Sequence, residues 1–127
     1  MMVIATVSAL GYASGAMPKR ASTQVPTALA PEMRPERIGY RMRLLREAMG
    51  LRPSEIADLL EIERTYWSRC ENGRRRLTEE LAVKLVHRFG VTLDFLILGR
   101  WDALPFELAE RMRAVEAADD TSPSALK

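Results

Sequence analysis

Arginine is the dominant reactive side chain in this 127-residue sequence, with sixteen Arg against three Lys. A guanidinium is a planar fork that grips a phosphate or a guanine edge through two parallel hydrogen bonds, which a lysine cannot do. The arginines are unevenly placed: Arg64 and Arg69 stand close together, and Arg74-Arg75-Arg76 follow as an unbroken run. Other reactive types are scarce. Cys70 is the single cysteine, so no intrachain disulfide and no cysteine-based zinc site can form, and its flanks suit a small buried hydrophobe better than a redox thiol. His87 is the single histidine, which removes any multi-histidine metal cluster and leaves little material for a nucleophile-histidine pair. Glu79 and Glu80 are adjacent, and side chains about 100° apart on a helix do not converge as a catalytic pair; at a helix start they favour its positive end instead. No enzyme, cofactor or metal is expected.

The elements that must position these groups are helices. Ile38, Met42, Leu45 and Met49 recur at helical spacing, and Gly50 follows as a left-handed cap. Pro53 suits a first helical position, and Ile56, Ala57 and Leu60 make one apolar face over about 53 to 60. After a three-residue connection, a helix from Arg64 to Glu71 turns Trp67 and Cys70 inward and ends at Asn72-Gly73. Thr78 caps a fourth helix with the stripe Leu81, Leu85, Val86 and Phe89, closed by Gly90. A short fifth helix carries Leu93, Leu96 and Ile97 up to Gly99, and Leu108, Met112 and Val115 predict a sixth from about Pro105 to Ala118. With no strand-like alternation of useful length, the fold class is all-α.

Two short helices joined by a turn of three or four residues have the geometry of a helix-turn-helix, whose second helix enters the DNA major groove. Here the spacing is demanding. Ile56, Ala57, Leu60, Ile62, Trp67 and Cys70 are all apolar and fall where the unit needs inward residues. Ala57 must be small where the two helices cross, Ile62 plugs the turn into the core, and Trp67 and Cys70 fasten the second helix from below.

With one helix before the unit and two behind it, the stretch from Ile38 to Leu98 resembles the Cro/C1-type helix-turn-helix family, also called XRE-like or lambda-repressor-like. The segments that carry the resemblance are Arg43-Leu44-Leu45-Arg46 with Met49-Gly50-Leu51, Ile56-Ala57-Asp58-Leu59-Leu60, Trp67-Ser68-Arg69-Cys70-Glu71-Asn72-Gly73-Arg74, and Phe89-Gly90-Val91-Thr92-Leu93-Asp94-Phe95-Leu96. The resemblance implies a compact five-helix DNA-binding domain. It implies that Arg64, Thr65, Ser68 and Arg69 meet base edges, and that Asn72, Arg74 and Arg75 touch the phosphate backbone, with Arg76 extending the run. Phosphate contacts position a protein on DNA without reading sequence, whereas base contacts specify.

Three positions depart from the family pattern. Pro53 stands where a polar residue commonly anchors the second helix to phosphate. Glu61 replaces the usual turn glycine, so the same backbone would hold a non-glycine residue at positive φ, at a cost of about 1 kcal/mol. Glu63 replaces the usual Ser or Thr cap, and a pairing with Arg64 is one outcome open to it. Elsewhere, Arg41, Arg43, Arg46 and Arg52 read as solubility residues, with phosphate contact by Arg37 and Arg41 as the alternative.

The organisation that follows has a disordered leader and arm over 1–35, the helix-turn-helix domain over 36–100, a C-terminal helix over 101–120 and a flexible tail over 121–127. Within the leader, residues 1–16 read as an over-extended gene start in preference to an export signal, because no Lys or Arg precedes the apolar stretch. A composition 47% hydrophobic and 28% charged is that of a globular protein, and a net charge of only +2 means that local placement, not total charge, must carry any affinity for nucleic acid. A domain of about 65 residues buries only about 60% of its unfolded surface, so support from the sixth helix or a second subunit is expected. The expected function is a cytoplasmic, sequence-specific transcriptional regulator, a repressor that binds double-stranded DNA as a homodimer at a short inverted repeat, with no membrane association. The alternative is an antitoxin-like or adaptor protein whose main partner is another protein, held by the C-terminal helix or the proline-rich arm.

Overall fold

The computed structural model describes residues 23–120, and among them every regular element is helical. A 3-10 turn at Ala30–Met33 leads into α1 (Pro35–Ala48), followed by α2 (Pro53–Leu60), α3 (Arg64–Glu71), α4 (Glu79–Phe89), a π-helical turn at Asp94–Leu98 and α5 (Phe106–Asp120). The leader up to residue 22 and the tail from 121, expected to be disordered and flexible, lie outside the described residues.

Local sequence explains most boundaries. Pro53 opens α2 and Thr78 caps α4, its Oγ1 accepting the Leu81 N–H at 3.3 Å. Gly90 closes α4 at φ 80°. The segment expected as a short fifth α-helix is a π-helical turn instead. Thr92 Oγ1 accepts the Phe95 N–H at 3.0 Å, and the wider spiral buries the adjacent pair Phe95 and Leu96 while Leu93 stays 49% exposed. The expectation that Leu93 faces inward is therefore corrected.

The core gathers Met42, Leu45, Ile56, Trp67, Leu85, Phe95 and Met112, all at 0% exposure. Helix α1 lies at its centre because it packs against α3 on one side and α5 on the other. That second contact explains why Leu44, outside the expected stripe, is also buried. From α5 and the loop before it, Leu104, Leu108 and Met112 join the same core, and Trp101 sets its ring edge-on to Phe95 with centroids 5.2 Å apart. Arg43 Nη2 reaches Asp119 at 2.8 Å, tying α1 to the end of α5. The C-terminal helix thus supplies the support that a small domain needs.

Among the described residues, hydrogen-bonded structure extends upstream of Glu36 into the stretch read as arm. The Pro26 carbonyl accepts from Leu29 N–H at 2.9 Å and Ala30 N–H at 3.1 Å, and the 3-10 turn follows. Its anchor is Arg41. This guanidinium is 5% exposed and donates to the Glu32 and Leu96 carbonyls, each at 2.9 Å, and to the Glu32 carboxylate. Burial pushes Arg41 down from its ordinary value, and the Glu32 carboxylate works against that shift. Arg41 is accordingly a core-facing strut, neither a solubility residue nor a phosphate contact. Arg37 also turns to Glu32, at 2.9 Å.

Candidate nucleic-acid interface

The unit that carries the candidate site begins at α2. Arg52 is extended (φ −82°, ψ 160°), and its N–H donates to the Glu55 carboxylate at 2.8 Å, closing the first turn. That bond, with a second from Arg52 Nη2, pulls the Glu55 carboxyl below its usual value. After Leu60 the chain reverses through Glu61 at φ 57° and ψ 48°, the left-handed region that a glycine fills at less cost. Ile62 N–H donates to the Ala57 carbonyl at 3.0 Å and Glu61 N–H to that of Asp58 at 3.1 Å. Ala57 is fully buried, as a close helix crossing demands, and Ile62 is half-buried against the core.

Helix α3 is fastened by three contacts from beneath. Trp67 and Cys70 are 0% and 1% exposed. Burial pushes the Cys70 thiol up, away from a reactive thiolate. Glu71 receives the Trp67 indole N–H and, at 2.8 Å each, Nε and Nη2 of Arg46, so Arg46 is a structural clamp and not a solubility residue. The third contact is backbone to backbone. A Cβ placed on Gly39 would stand 2.5 Å from the carbonyl oxygens of both Cys70 and Glu71, so the end of α3 rests directly on α1. Sequence reasoning missed Gly39, although a glycine inside an amphipathic helix is itself a signal of close approach.

On the opposite face, Arg64, Thr65, Ser68, Arg69 and Asn72 are all exposed. At about 100° per residue they share an arc of about 140°, with Trp67 and Cys70 on the far side of the helix. Glu63 precedes α3 without a capping side-chain bond. The pairing left open for Glu63 goes elsewhere: Arg64 Nη2 meets Asp58 Oδ2 of α2 at 3.0 Å. Asn72 Nδ2 donates to the Ser68 carbonyl at 2.9 Å and approaches its hydroxyl at 3.4 Å, closing the end of the helix.

Beyond α3, Gly73 turns the chain at φ 75° and Arg74-Arg75-Arg76 are all exposed. Arg75 stacks over the Tyr66 ring at 4.6 Å, and Tyr66 Oη shares a 2.7 Å hydrogen bond with Thr78 Oγ1. The run is thereby tied to α3 on one side and to the cap of α4 on the other. Beside it, between α3 and α4, lies an open cavity of about 500 Å³ that Tyr66, Arg75, Thr78 and Lys84 help to line. The sequence-predicted residues are all exposed, with Arg64, Thr65, Ser68, Arg69 and Asn72 on the outer arc of α3 and Arg74 and Arg75 in the loop behind it. Arg41 is not part of this set, being buried against Glu32, while Arg37, 54% exposed, pairs with Glu32 at the start of α1.

Among the described residues no group of three or more His, Cys, Asp or Glu is placed to hold a metal ion, and no helix is long and apolar enough to cross a membrane.

Comparison with known proteins agrees with this geometry. Over 70 residues, 55% of this chain, the sequence is 33% identical to the uncharacterized HTH-type transcriptional regulator YbaQ of Escherichia coli strain K12 and to the protein of the same name from E. coli O6:H1 strain CFT073. The match spans 62% of the length of each relative. No solved structure matches significantly. Residues 37–95 match the helix-turn-helix domain family, and α2, its turn and α3 lie at the centre of that match.

Proposed function

We propose that this chain is a sequence-specific DNA-binding transcriptional regulator, a repressor that acts by occupying its site. The observation that carries the reading is the two-sidedness of α3, which is sealed to the core through Trp67 and Cys70 while Arg64, Thr65, Ser68 and Arg69 face outward. In the major groove, that outer face reads base edges. Arg64 takes a guanine by its fork, a contact worth about 1–3 kcal/mol of discrimination. Asn72, Arg74 and Arg75 hold phosphates, and stacking on Tyr66 limits the freedom that Arg75 would lose on binding. The protein works in the cytoplasm as a homodimer. Two copies place their α3 helices about 34 Å apart on successive major grooves, so the site is a short inverted repeat.

An adaptor role through α5 has less support, because Leu108 and Met112 of its apolar stripe are already in the core and only Phe106, at its first turn, stands out as a large exposed apolar side chain.

The test is a titration of the full chain against duplex from its own upstream region and a scrambled duplex, by fluorescence anisotropy at several salt concentrations. A preference of about a thousandfold with affinity falling steeply in salt is expected. Arg64→Ala should narrow the gap between the two duplexes, whereas Arg75→Ala should weaken both and lower the salt slope by about one. Equal losses from the two changes would sink the division of roles, and no binding at low salt would sink the function.

A further inference from the structure

We infer that Asp58 is a positioning residue that fixes how Arg64 presents its guanidinium, an inference that rests on the DNA-reading role proposed for α3. Asp58 stands on α2, across the turn from Arg64, and the two meet side-on: Arg64 Nη2 lies 3.0 Å from Oδ2 and Nε lies 3.5 Å from Oδ1. A guanidinium has two usable edges. The side edge consists of Nε and Nη2, and the end edge of Nη1 and Nη2, each nitrogen of the end edge still carrying a free hydrogen once the side edge is engaged. Asp58 occupies the side edge, so the end edge is left to meet O6 and N7 of a guanine.

The pair is exposed, with side chains at 66% and 63%, and an ion pair in that setting contributes little to stability. Its effect is on direction. An unrestrained arginine samples many rotamers and meets phosphates as readily as bases, whereas the pair with Asp58 biases Arg64 toward the pose that leaves its end edge free. The carboxylate also repels phosphate, which penalises DNA that offers no guanine in return. Asp58 should therefore act on specificity from both sides, sharpening the correct contact and weakening the generic one.

The experiment uses the full chain and a duplex recovered from a randomised pool by the unmodified protein, with a scrambled duplex as reference. Asp58→Asn is expected to tighten binding to the scrambled duplex, weaken binding to the recovered one and cut their affinity ratio about fivefold. Thermal unfolding should stay where it is, since the pair is exposed. Asp58→Glu, which keeps the charge and can still reach the guanidinium, should retain most of the ratio. In an Arg64→Ala background, Asp58→Asn should leave the ratio where Arg64→Ala alone puts it. If Arg64→Ala collapses the ratio while Asp58→Asn leaves it within about twofold, Arg64 reads bases unaided and the positioning role is overturned while the DNA-reading role stands. If Arg64→Ala leaves the ratio intact, or the pool yields no enriched sequence, the DNA-reading role itself falls, and the inference with it.

Discussion

Gly39→Ala sets two effects against each other. In an exposed helix the substitution is favourable by about 1 kcal/mol, because alanine loses less backbone freedom. At Gly39, the new Cβ would lie 2.5 Å from the carbonyl oxygens of Cys70 and Glu71 and 2.9 Å from the Glu71 carbonyl carbon. Ordinary contact begins near 3.4 Å, so α1 and the end of α3 must part by about 0.9 Å. The obstacles are backbone atoms of a helix and cannot rotate aside. Overpacking of this kind costs about 1–3 kcal/mol, and with two rigid neighbours the upper end applies, leaving a net loss of about 2 kcal/mol. For a domain of this size, that lowers the melting temperature by about 8–16 °C, readable by far-ultraviolet circular dichroism. Gly50→Ala is the control: its Cβ meets nothing within 4 Å, and only the positive φ of 70° is penalised, at about 1 kcal/mol. A Gly39→Ala protein that melts at or above the parent temperature would refute the backbone contact between α1 and α3.

Three further predictions concern the same scaffold. Glu61→Gly relieves the left-handed strain at φ 57° and should raise stability by about 0.5–1 kcal/mol in a denaturant titration; a loss would mean that the turn holds Glu61 by contacts worth more than the strain. Glu71→Ala removes the partner of the Trp67 indole and two of the bonds of Arg46, whose side chain is 11% exposed and keeps the Leu51 carbonyl and Glu47, and should cost about 2–3 kcal/mol; a change under about 1 kcal/mol would show that the clamp is dispensable. Deleting residues 102–127 takes Leu104, Leu108 and Met112 out of the core, and since each truncation of a buried Leu or Met costs about 2–5 kcal/mol, the remainder should lose its cooperative melt. An unchanged melt would make α5 an accessory.

The helix-turn-helix was legible because its constraints are local. Pro53 fixes the start of α2, Asn72-Gly73 ends α3, and the spacing of Ala57, Ile62, Trp67 and Cys70 carries the inward pattern whatever the rest of the chain does. What the sequence hid depends on partners far along the chain. Nothing in the type of Arg41 signals burial, which follows from the Leu96 carbonyl and the upstream turn around Glu32 meeting it from two sides. Hydrophobic spacing likewise could not separate an α-helix from the π-helical turn, where the buried pair is Phe95 and Leu96 and Leu93 is left outside. The partner of Arg64 was hidden because it is not its chain neighbour: Glu63 is extended, outside α3, while the turn brings Asp58 across from α2.

The division of α3 into a sealed face and an outward face has a consequence for how such a protein can diverge. The residues that seat the helix, Trp67, Cys70 and Gly39, are not those at its surface, and Arg64, Thr65, Ser68 and Arg69 contribute almost nothing to the seat. Surface substitutions away from packed contacts usually change stability by no more than about 0.5 kcal/mol. Descendants of this chain can therefore exchange those four residues at little cost in stability, changing what the outer face of α3 presents without passing through an unfolded ancestor.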